Sequence, residues 1–128
     1  MPRRLTRLPA RDLLGGLRLA EARGTRARMA GLSYLDEPPP GHALRFPRCG
    51  SVHTFGMRFA LDVIFLDRDD RVIRVARGVP PRRFVSARRA RTVIETRAGE
   101  ADRFLAAGAA DGGEPRASDG PRRSAGRA

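Results

Sequence analysis

Large apolar residues recur at every second position from Phe55 to Phe65: Phe55, Met57, Phe59, Leu61, Val63 and Phe65. Side chains alternate across a strand, so an unbroken strand would place this set on one face. Thr54, Gly56, Arg58, Ala60, Asp62, Ile64 and Leu66 would line the other. The run of 12 residues to Leu66 exceeds an ordinary strand, which predicts a bend or bulge between Gly56 and Ala60. Asp67 to Asp70 reads as a polar turn, and Val72 to Ala76 as the returning arm of a hairpin. Gly78 to Pro81 reads as a loop, and Phe84 to Arg91 is basic without a clear period. Thr92 to Thr96 predicts another strand, Ala98-Gly99 a turn, and Glu100 to Ala107 a short helix held by Phe104 and Leu105.

Upstream, Leu17 to Ala22 alternates weakly and predicts a first strand. Thr25 to Leu35 predicts a short helix, with Thr25 as N-cap and Met29, Leu32 and Leu35 close to one face. The prolines in Asp36 to Gly41 end it. Ala43 to Phe46 predicts a strand stopped by Pro47. Strands outnumber helices, and hairpin links dominate. The expected fold is therefore α+β: a small antiparallel sheet curled toward a barrel, with one or two short helices. The expected organisation is a flexible Arg-rich arm over 1–12, one domain over 13–107 and a disordered tail over 108–128.

At 128 residues the chain has room for one domain with a real core. The single Cys49 excludes an internal disulfide and a multi-cysteine zinc site. The first residues are basic but carry no apolar run of signal-peptide length, and no stretch reaches the roughly 18 apolar residues of a membrane helix. A soluble, cytoplasmic protein is expected. The net charge is +12, and every positive charge is Arg, with Lys, Asn and Gln absent. A GC-rich coding sequence accounts for Arg over Lys but not for where the charge sits. Residues 1–28 hold 8 Arg against 2 acids, 29–70 hold 4 against 6, 71–97 hold 9 against Glu95 alone, and 98–128 balance at 5 and 5. Two basic blocks therefore flank a near-neutral core segment.

The segment SVHTFGMRFALDVIFLD resembles the bacterial and archaeal family of unknown function DUF192 (UPF0127). Its pattern of an aromatic, any residue, then Met is met by Phe55 and Met57. The Leu-Asp pair is Leu61-Asp62, and the turn is Asp69-Asp70, where the family more often has Gly second. An upstream Arg-x-x-Gly-Leu element matches Arg28, Gly31 and Leu32. A downstream element is echoed by Ile94-Glu95 and Ala98-Gly99. The likeness spans about residues 13–107 and implies a compact β-rich domain, without implying a reaction. The family's closing Gly-Asp-strand element has no visible counterpart.

Several polar residues interrupt the apolar pattern. A carboxylate at Asp62, set among Leu61, Val63, Ile64 and Phe65, must be paired if buried. An arginine (Arg58, Arg28 or Arg74) or loop N–H groups would serve. His53, Arg58, Asp62 and Glu95 are thus expected to be structural polar groups. A catalytic alternative joins His53 to Cys49 or Ser51 with Asp62 as the orienting acid, which requires the strand to fold back. His42, His53, Cys49 and Asp62 follow no zinc spacing, so no metal or cofactor is expected. Arg71, Arg74, Arg82, Arg83, Arg88, Arg89 and Arg91 are the candidate binding residues, as a basic rim for an acidic protein or polyanion. Few aromatics accompany them, and no nucleic-acid motif or Gly-rich phosphate loop appears. A non-catalytic interaction module is therefore the first expectation and a small enzyme the second.

Overall fold

The computed structural model describes residues 9–22, 39–54 and 58–110. The helix expected over 25–35, the Phe55 and Met57 positions and the tail beyond 110 lie outside them. The described chain forms β1 (Ala10–Leu13), a 3-10 turn (Leu14–Gly16), β2 (Leu17–Glu21), β3 (His42–Pro47), β4 (Ser51–His53), β5 (Leu61–Leu66), β6 (Val72–Val79), β7 (Phe84–Ser86), β8 (Thr92–Arg97) and α1 (Ala101–Ala106). Six strands make one sheet in the order β1-β2-β3-β8-β5-β6, and β4 pairs with β7 in a separate two-stranded ribbon.

Two expectations need correction. The sheet is mixed, because β2 and β3 run parallel while its other pairs are antiparallel. It is also open, with β1 and β6 at opposite edges, so it does not curl into a barrel. A parallel pair cannot be joined by a hairpin, and residues 22–41 separate the two strands in sequence. Strand β1 begins inside the stretch assigned to the arm, and Ala109 and Ala110 are buried inside the stretch assigned to the tail.

The central strands are covered on both sides. Leu61, Val63 and Phe65 of β5 join Leu44, Phe46 and Val93 on one face, under the ribbon residues Val52 and Val85. Ile64 and Leu66 of β5 join Leu19, Ala43 and Ile94 on the other, under Phe104 and Leu105 of α1. Every residue of β5 is buried, which explains its near-continuous apolar run. The expected bend falls at Arg58 and Phe59, so β5 starts only at Leu61.

Helix α1 buries Ala101, Phe104 and Leu105, the i, i+3 and i+4 positions of one face. It stops at Gly108, whose φ is 88°. There the Gly108 N–H donates to the Leu105 carbonyl and the Ala109 N–H to the Phe104 carbonyl, the paired bonds of a Schellman end. A Cβ at Gly108 would meet nothing within 4 Å, so only backbone strain opposes a side chain there. Gly108→Ala is expected to destabilise by about 1–2 kcal/mol, the cost of a left-handed L-residue, read as a lower urea midpoint at unchanged m-value.

Candidate functional site

The ribbon places the basic segment. Ser51, Val52 and His53 pair with Ser86, Val85 and Phe84 respectively. Val52 and Val85 face the core, so alternation turns Ser51, His53, Phe84 and Ser86 outward. Phe84 is 65% exposed, and His53, its cross-strand partner, is exposed too. Thr54 ties the ribbon to the preceding loop. Its hydroxyl donates to the Pro80 carbonyl at 2.7 Å and accepts from the Arg83 N–H at 2.8 Å. Its own N–H donates to the Arg83 carbonyl at 2.8 Å.

All seven candidate arginines (Arg71, Arg74, Arg82, Arg83, Arg88, Arg89 and Arg91) are exposed. Arg82 and Arg83 precede β7, and Arg88 and Arg89 follow it, so two pairs bracket Phe84. Arg74 of β6 lies over the Phe65 ring, 5.7 Å from its centroid, and donates to the Ser86 carbonyl of β7. Arg71 leaves the hairpin turn, and Arg91 leads into β8. Of the N-terminal block only Arg11 and Arg18 are among the described residues, and Arg18 on β2 pairs with Asp12 of β1 at 3.2 Å, at the edge of the sheet opposite β6.

The catalytic set does not assemble. Cys49 packs against the ribbon-side core and donates its thiol to the Ser51 carbonyl at 3.1 Å. Asp62 is on the helix side of the sheet, so the sheet itself stands between it and the Cys49–Ser51–His53 segment. Its carboxylate accepts three main-chain N–H groups: Gly78 on Oδ1 at 2.9 Å, and Gly99 and Ala101 on Oδ2 at 2.9 and 3.1 Å. The first comes from a register shift in which Arg77 and Gly78 bulge opposite Asp62, and β6 runs into the expected loop as far as Val79. The other two are unpaired donors at the start of α1. Of the arginines considered for Asp62, Arg58 is exposed, Arg74 lies over Phe65 on the opposite face, and Arg28 is outside the described residues. No group of three His, Cys, Asp or Glu converges on a metal position among the described residues.

Glu95 was expected to be a structural polar group, and its setting differs from that of Asp62. It lies on the ribbon side of β8 between Leu44 of β3 and Val63 of β5, and it is 2% exposed. Its Oε1 has no hydrogen-bond partner among the described residues, and neither does the buried Nδ1 of His42. Leu44 is directly opposite Glu95, so His42 is its diagonal neighbour on the same face. Burial pushes the Glu95 carboxyl from 4.5 up to about 7.

A family model for DUF192, described as "Uncharacterized ACR", matches residues 11–109. The chain belongs to the DUF192 family. Two crystal structures share this fold. A protein of unknown function from Novosphingobium aromaticivorans is 19% identical, covers 81% of this chain and 91% of its own, and superposes with a TM-score of 0.58. A Sinorhizobium meliloti protein called a "putative transcription regulator" is 21% identical, with coverages of 74% and 82% and a TM-score of 0.59. No curated protein matches the chain. No helix among the described residues is long and apolar enough to cross a membrane.

Two outcomes follow from the buried acids. Asp62→Asn leaves one acceptor oxygen for three donors and turns an amide toward a main-chain N–H. A loss of about 2 kcal/mol is expected in urea unfolding, and an unchanged midpoint would deny the clamp. For Glu95 the folded carboxyl binds its proton more tightly than the unfolded one. Its contribution is therefore full below pH 4.5 and is lost as pH rises through about 7. Relative to Glu95→Gln, the wild type should lose a few kcal/mol across that window, measured as the difference between the two proteins' urea stabilities.

Proposed function

We propose that this DUF192 protein is a non-catalytic interaction module whose basic rim meets an acidic partner. The observation that carries the reading is the bracket of Arg82, Arg83, Arg88 and Arg89 around outward-facing Phe84. The ribbon under it is anchored by Val52 and Val85 in the core and by the buried Thr54 at its end. Binding there requires little reordering of main chain. Guanidinium forks suit carboxylates and phosphates alike, and an exposed ring beside them adds apolar contact area. Rim charges act mainly by steering and by electrostatic attraction, so salt should weaken the complex.

Labelled heparin, followed by fluorescence anisotropy, tests this. Affinity should fall steadily as salt rises, and replacing Arg82, Arg83, Arg88 and Arg89 together by Ser should lower it at least about tenfold. Binding insensitive to salt, or untouched by the four replacements, would contradict the reading.

A further inference from the structure

The strongest unassigned feature lies where three adjacent strands of the main sheet end together. Pro47 of β3 pairs with Thr92 of β8, and Thr92 pairs with Leu66 of β5. One step beyond that row the chain carries Arg48 after β3 and Arg91 before β8, and two steps beyond β5 it carries Arg68. Neighbouring strands lie about 4.8 Å apart, so the three main-chain positions fall within the reach of arginine side chains toward a common point. The loops are tied together there: the Cys49 N–H donates to the Arg91 carbonyl at 2.9 Å and the Arg91 N–H to the Leu66 carbonyl at 2.8 Å. Gly50 lies so close to Ala90 that a Cβ would come within 2.9 Å of its carbonyl oxygen.

These loops enclose an open groove of about 640 Å³. Its charged lining is Arg45, Arg48, Arg68 and Arg91 against Asp67 and Asp70. Both acids are engaged already. Asp70 pairs with Arg45 at 3.1 Å, and Asp67 accepts the N–H groups of Asp69 and Arg71. Arg48, Arg68 and Arg91 are exposed and have no acidic partner among the described residues. Pro47, Cys49 and Ala90 add apolar surface beside them. Three arginines that line one groove without an acidic partner attract a multivalent anion, and a groove of this size exceeds what a bare oxyanion needs.

We infer that this groove binds a small phosphorylated molecule, with its phosphate group held by Arg48, Arg68 and Arg91 and its apolar part against Pro47, Cys49 and Ala90. This site goes beyond the rim reading, since Arg48 and Arg68 belong to neither basic block. It is tested by titrating the full chain with sodium pyrophosphate in a calorimeter, at ionic strength held constant with chloride. One saturable site with Kd below about 1 mM is expected, and Arg48→Gly and Arg68→Ala should each weaken it at least about tenfold. Glycine takes the positive φ of 54° at position 48 without strain, so that variant keeps the fold. Replacing Arg82 and Arg83 by Ser should change pyrophosphate affinity less than twofold, whether or not it weakens heparin binding. Unsaturable heats, an unchanged affinity in the Arg48 and Arg68 variants, or an equal loss from the Arg82 and Arg83 replacement would each overturn the assignment.

Discussion

The carboxylate of Asp62 links β5 to the β6 bulge and to the turn that leads into α1. It takes the N–H that the β6 bulge leaves over at Gly78, and two N–H groups where the chain turns from β8 into α1. The helix has no side-chain cap of its own, because the residue at its N-cap, Glu100, points its carboxylate elsewhere, to the Gly41 N–H and the Arg103 guanidinium. The Asp62 carboxyl group of β5 takes the place of that cap by accepting the Gly99 and Ala101 N–H groups. With α1 seated, Phe104 and Leu105 seal the helix side of the sheet, and both faces of β5 become interior.

The opposite face is closed differently. The β4–β7 ribbon lays Val52 and Val85 on the sheet and turns Phe84 outward on the same short strand, with the basic pairs at 82–83 and 88–89 flanking it. One three-residue segment therefore serves packing and display, by the alternation of side chains across a strand. Glu95 is the exception on that face. It lies beneath, among aliphatic neighbours, and burial favours its protonated form. The two buried acids thus differ in their surroundings: Asp62 gives its oxygens to three main-chain donors, while Glu95 has an oxygen without a partner among the described residues and burial raises its pKa.

The arginines divide by local geometry rather than by their density along the chain. Arg45 is committed to Glu21 and Asp70, and Arg77 to Asp102. Arg74 is spent on Phe65 and Ser86, whereas the pairs at 82–83 and 88–89 stay outside. Arg48 and Arg68 come from the near-neutral middle of the chain, yet their strand ends bring them beside Arg91. Charge counted in sequence windows misses such a site, because its members are joined by strand pairing. A signal was nonetheless present: each flanks the end of an apolar strand pattern.

Local chemistry made much of this protein legible from its sequence. The strands at 17–22, 43–46 and 92–96, the hairpin turn at Asp67–Asp70, the helix at 100–107 and the bend before Leu61 all follow from periodicity, proline and glycine, which act through neighbouring residues. Asp70 even takes the left-handed φ of 60° at the position where the resembled family favours Gly. What periodicity could not decide was pairing between distant segments. The parallel β2–β3 contact, the open edges, the ribbon formed by Ser51–His53 and Phe84–Ser86, and the separation of Asp62 from His53 by the sheet depend on which strands meet. An alternating pattern states that a face is buried, not what buries it, and it cannot tell a strand covered on one side from one covered on both.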